Sequence, residues 1–138
     1  MTKEEKDLLL QDLCARLPYG VKFKWCDNFH TDDYYTLIGI KEGLITGRDV
    51  NQDDCLFFWG KDKIKPCLRP MSSMTEEEKK EYTSYCFEQP FLQKGKTPNL
   101  GSVPMCIDWL NKKMFDFRGL IPKSLAIEVT EDNNPYKD

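Results

Sequence analysis

The chain predicts an α+β fold: an N-terminal helix, a small bent antiparallel sheet or SH3-like barrel of about five strands over 20–70, then two helices and a short late strand. Three observations carry this prediction. A Thr2–Glu5 capping pair precedes apolar residues at helical spacing. Residues 20–70 are short β-rich runs separated by turn residues. After Arg69-Pro70 the apolar period becomes helical again. Residues 1–130 are expected to form one domain, and the polar residues 131–138 a flexible tail.

Each element follows from local chemistry. Thr2-x-x-Glu5 starts a helix at residue 3, with Leu9, Leu10, Leu13, Cys14 and Leu17 on one stripe. Pro18 stops it and Tyr19-Gly20 turns the chain. In Val21-Lys22-Phe23-Lys24-Trp25 apolar and charged residues alternate, which places Val21, Phe23 and Trp25 inward on a half-buried strand. Tyr34 to Ile40 is rich in β-formers, Lys41-Glu42-Gly43 is a tight turn, and Leu44 to Gly47 returns. Cys55-Leu56-Phe57-Phe58-Trp59 is apolar on both faces, which predicts a central strand. Residues 63–68 predict an edge strand, because Pro66 cannot donate to a ladder. Thr75 and Glu78 form a second capping box, with Tyr82, Tyr85 and Cys86 as the narrow apolar stripe of that helix. Residues 88–103 read as a long loop. Pro104 suits the first turn of a third helix, with Ile107, Leu110 and Met114 on its apolar stripe. Leu125, Ile127 and Val129 alternate and predict the late strand.

The totals exclude several classes. At 138 residues, 40% hydrophobic and 31% charged, the chain suits one globular domain rather than a disordered one. No apolar run approaches the roughly 20 residues of a membrane span, and Glu4, Glu5 and Asp7 do not begin a secretory signal. The expected location is the cytoplasm, with no membrane partner. A net charge of −3 gives no general attraction to nucleic acid or anionic lipid. The six cysteines lie among apolar residues, as in Leu13-Cys14 and Cys55-Leu56-Phe57, and are expected to be reduced core thiols.

Three runs carry a resemblance. They are Leu68-Arg69-Pro70-Met71-Ser72-Ser73-Met74-Thr75-Glu76-Glu77-Glu78, Asp12-Leu13-Cys14-Ala15-Arg16-Leu17-Pro18-Tyr19-Gly20-Val21, and Phe115-Asp116-Phe117-Arg118-Gly119-Leu120-Ile121. Together they resemble an uncharacterised family of short proteins from gut anaerobic bacteria and their prophages or mobile elements. The resemblance implies a bacterial cytoplasm and a mobile-element setting. It implies no activity and transfers no catalytic residue.

The search for chemistry eliminates most site types. Cys26-x-x-x-His30 has ligand-like spacing, but a structural zinc site needs a second pair and no Cys-x-x-Cys exists. Asp49-x-Asn51-x-Asp53 opens like a calcium loop, yet its sixth and twelfth places hold Asp54 and Gly60 instead of Gly and Glu. No Gly-x-Gly-x-x-Gly, Walker loop or Gly-x-Ser-x-Gly is present, so no cofactor is expected. His30 is the only histidine, and any of six thiols could pair with it.

The best binding candidate is the segment that places Lys61, Lys63, Lys65 and Arg69 behind Phe57, Phe58 and Trp59. Such a row contacts phosphates, and exposed aromatics stack on bases, with Lys22 and Lys24 extending the patch. The negative net charge favours the plainer reading, in which the lysines block edge-to-edge pairing and the aromatics fill a core. Arg118, among Trp109, Phe115, Phe117 and Leu120, would anchor a protein contact if that cluster were exposed, and is otherwise beside core. Three functions follow. The leading expectation is a non-enzymatic protein-interaction module of mobile-element origin. The alternatives are a nucleic-acid-binding accessory domain using the basic edge at 61–69, and an enzyme with an unrecognised Cys/His site.

Overall fold

The computed structural model describes residues 2–26, 34–60, 62–87 and 102–136. Helix α1 spans Lys3–Arg16. Its capping box is complete: Thr2 Oγ1 accepts from the Glu5 N–H at 3.1 Å, and Glu5 Oε1 accepts from the Thr2 N–H at 2.9 Å. A 3-10 turn at Leu17–Tyr19 ends the helix where Pro18 was expected to stop it. The buried face of α1 is Leu9, Asp12, Leu13 and Arg16, so two charged residues enter the interior. Cys14 is exposed, which corrects its expected place in the core.

Six strands form one open, mixed sheet in the order β4-β3-β2-β1-β5-β6. Their ranges are β1 Lys22–Trp25, β2 Tyr34–Lys41, β3 Leu44–Arg48, β4 Asp54–Phe58, β5 Ile64–Leu68 and β6 Ile127–Glu128. Strands β1 to β5 pair antiparallel, and β6 joins β5 in parallel. Over 20–70 the sheet is therefore antiparallel and open, without barrel closure. The β2–β3 hairpin closes through Glu42 at φ 30° and Gly43 at φ 79°, the positive pair that a two-residue primed turn requires. Gly47 in β3 lies under the Phe23 ring, since a Cβ there would stand 2.6 Å from Phe23 Cζ. Phe23 thereby meets Tyr35 and Phe57, with ring centroids 5.6 and 5.4 Å away. These rings, with Leu37, Ile45 and Ile64, pack against Leu9 and Leu13 of α1 and against Leu120, Leu125 and Ala126.

Two strand expectations reverse. β4, expected at the centre, is an edge, and its Leu56 and Phe58 are 62% and 53% exposed. β5, expected at the edge, lies between β1 and β6. For β5 the physical reason lies in the orientation of Pro66. Cys26 N–H donates to Lys63 C=O across the β1–β5 ladder at 2.7 Å. Alternation then turns residues 63, 65 and 67 toward β1, and residue 66 away from it. The missing N–H of Pro66 costs the β1 ladder nothing.

Helix α2 spans Glu76–Phe87 and α3 spans Ser102–Lys112. Tyr82 of α2 meets Trp109 of α3 at 5.6 Å between centroids. Trp109, Leu110 and Phe115 centre a second core cluster. Of the expected stripe of α3, Leu110 and Met114 are buried, while Ile107 is 39% exposed and Cys106 and Trp109 are buried beside Leu110 instead. Cys106 is disulfide-bonded, which corrects the expectation of six reduced thiols. Residues 131–136, expected to fray, fold back onto the sheet. Tyr136 OH accepts from the Lys22 N–H at 2.9 Å and donates to the Cys67 C=O at 2.8 Å. The hydroxyl thus fills a gap between β1 and β5. Among the described residues, no helix is long and apolar enough to cross a membrane.

Candidate functional site

β6 covers β5 only at Cys67 and Leu68. Among the described residues, no strand pairs with β5 on that side toward its N-terminal end. The alternation that turns residue 66 away from β1 does the same for Ile64, so Ile64 directs an N–H and a C=O outward. Beside this stretch lies a cleft of about 260 Å³. Leu9, Ile64 and Leu125 form its apolar floor, with Trp59 at one side. Lys63, Lys65 and Lys123 bring three cations to its lining, against the carboxylates of Glu5 and Asp62. The Thr2 backbone N–H holds the Glu5 carboxyl below its usual range, and Lys123 adds a weaker pull in the same direction. Asp62 is already engaged, since its Oδ2 accepts from the Phe58 N–H at 2.7 Å.

The cleft therefore unites three of the residues singled out from sequence: Trp59, Lys63 and Lys65. Lys61 lies outside the described residues. Lys65 pairs with Lys24 across the ladder, and Lys24 Nζ sits 4.6 Å from the Tyr34 ring centroid, which spreads the like charges. Lys22 Nζ donates to Thr36 Oγ1 at 3.3 Å.

Arg69 and Arg118 belong elsewhere. Arg69 makes a two-pronged ion pair with Glu78, at 2.8 and 2.7 Å, and stacks 4.2 Å from the Phe115 ring centroid. Arg118 is not an exposed anchor: its side chain is 11% exposed and donates to Asp12 Oδ1 at 2.7 Å and to Asn111 Oδ1 at 3.0 Å. Arg16 meets the same carboxylate, with Nε 3.0 Å from both Asp12 oxygens. Arg16 also donates to the carbonyls of Leu110, Asn111 and Phe115, which fastens α1 to the C-terminal end of α3. Burial lowers the Arg16 pKa while Asp12 opposes that fall. Both arginines serve as structural ties.

Sequence reasoning missed Lys123, Leu125, Leu9 and Glu5 as cleft residues. Nothing local marks them, because the cleft exists only where α1 and the 120–126 segment meet β5. Of the other candidates, His30 lies outside the described residues. Burial pushes the Cys67 thiol up to about 12, which keeps it protonated and poorly nucleophilic at neutral pH. Asp49 Oδ1 accepts from the N–H groups of Asn51 and Asp53 at 2.8 and 2.9 Å, so that carboxylate organises its own turn.

What the cleft offers chemically is backbone pairing, a small apolar receptacle and a basic rim. Compared with known proteins, the chain matches no family model, no curated protein and no solved structure.

Proposed function

We propose that the protein is a non-enzymatic interaction module that receives a short extended segment of a partner protein along the uncovered part of β5. The carrying observation is the outward N–H and C=O of Ile64 beside an apolar floor. Adding a strand at such an edge supplies affinity through main-chain bonds, while a pocket for a side chain supplies specificity. A volume of about 260 Å³ is below the roughly 300–1,000 Å³ of small-molecule sites, and suits one or two side chains. Three lysines against two carboxylates favour a segment with one carboxylate next to an apolar side chain. A continuous run of phosphates would meet Glu5 and Asp62, which disfavours the nucleic-acid reading.

The test is selection of phage-displayed random peptides against the immobilised protein. Enriched peptides should pair an acidic with an apolar residue and should bind K123E about tenfold more weakly. Failure to enrich any peptide, together with salt-sensitive binding of an oligothymidylate, would replace this reading by the nucleic-acid one.

The proposal includes a bacterial cytoplasmic, mobile-element setting, supported by the resemblance of the three runs. The disulfide at Cys106 argues the other way, because reducing compartments keep thiols free. Counting reactive thiols in denatured, unreduced protein trapped at lysis decides. Six reactive thiols support the cytoplasm, and fewer remove it.

A further inference from the structure

At the other end of β5 lies a larger cavity of about 640 Å³, walled by segments 69–73, 112–114 and 129–136. We propose that it is a binding site for the phosphomonoester of a small molecule. Lys112 and Lys113 line it, and the side chain of neither makes a hydrogen bond or ion pair among the described residues. Lys112 also complements the C-terminal end of α3, but Lys113 lies beyond that helix. Arg69 lines the same cavity, held in place by Glu78 and Phe115. Because Glu78 neutralises it, Arg69 adds a fixed donor rather than net charge. One carboxylate, Glu131, stands on the rim against the two lysines.

The two ammonium groups match the charge of a phosphomonoester near neutral pH, and charge-assisted bonds to phosphate are the stronger kind. The Thr130 and Tyr19 hydroxyls, both at the cavity, offer neutral donors. The space exceeds what a bare phosphate fills. The buried side chains of Met114 and Val129 give the rest of a ligand an apolar wall. An ester with an apolar body fits both parts, and inorganic phosphate only one.

The experiment is a titration of the isotopically labelled full chain, followed by amide chemical shifts. The probes are phenyl phosphate and inorganic phosphate, with sodium chloride at matched ionic strength as control. Both phosphates should move the amides of residues 112–114 and 130, and phenyl phosphate should bind more tightly. The K112Q/K113Q variant should weaken binding about tenfold or more, E131Q should strengthen it, and K112R/K113R should restore it. Lys112 is exposed and Lys113 half-buried, so these variants should keep the fold, which the amide spectrum itself reports. The proposal is overturned if chloride produces the same shifts, if K112Q/K113Q binds as well as the parent, or if phenyl phosphate gains nothing over inorganic phosphate. The site shares no residue with the β5 cleft, so either conclusion can fail alone.

Discussion

Replacing Glu78 by Gln removes one carboxylate that performs two tasks. Its Oε1 accepts from the Thr75 N–H at 3.0 Å, closing the capping box of α2, and both of its oxygens accept from Arg69. The side-chain hydrogen bonds from Arg69 hold the Glu78 carboxyl down at about 2 from an ordinary 4.5. At about 1.4 kcal/mol per pH unit, the fall represents on the order of 3 kcal/mol between charged and neutral forms. The two side chains are 16% and 23% exposed, so solvent screens part of this, and about 2 kcal/mol is the expected loss for E78Q at pH 7. The folded pKa is the depressed one, so this stability is fully present above pH 4.5 and disappears as pH falls through about 2. Urea unfolding of parent and E78Q, repeated between pH 7 and pH 2, should show a gap that closes across that window. R69K should lose a similar amount, because a lysine cannot bridge both oxygens. A gap below about 0.5 kcal/mol at pH 7, the level of an ordinary surface change, or one that ignores pH, would refute the reasoning.

Three further perturbations probe the frame. Asp12→Asn leaves Arg16 without its buried counter-ion, so urea unfolding should report a loss of about 3–5 kcal/mol, while an unchanged midpoint would dismiss the network as a stabilising tie. Tyr136→Phe strands the Lys22 N–H and the Cys67 C=O, which should lower stability by about 1–3 kcal/mol and speed amide exchange at Lys22; unchanged exchange there would show that the hydroxyl is not needed. Gly47→Ala pushes a methyl into the Phe23 ring and should cost about 1–3 kcal/mol, and the double variant G47A/F23L should recover part of that loss in the same assay.

Local chemistry was legible wherever a few neighbouring residues decide the outcome. Thr2 with Glu5, and Thr75 with Glu78, fix two helix starts because each box is a closed set of bonds across three residues. The alternation at 21–25 correctly placed Val21 and Phe23 inside. Two lines of reasoning failed, and a third was left open, where distant segments compete for one position. The apolar run of β4 suggested a centre, yet among the described residues β4 pairs only with β3 and leaves Leu56 and Phe58 outside. The C-terminal polar run suggested fraying, yet one tyrosine hydroxyl finds two unsatisfied backbone groups more than sixty residues away in sequence. Arg118 stood open between a surface anchor and a place beside core, and Asp12, already inside with Arg16, recruits it to the second.

By itself, the sequence determined the fold class, the helix starts and ends near residues 3, 17 and 76, the tight turn at Glu42-Gly43, and the concentration of lysines before and within β5. All of these depend on interactions spanning a few residues. Only the tertiary structure decided strand order, the partners of the buried charges, and the union of Lys63 and Lys65 with Lys123, Leu9 and Leu125. A cleft is a property of the space between segments. Its walls come from residues 5–9, 59–65 and 123–125, and no pattern within one of them encodes its distance to the others.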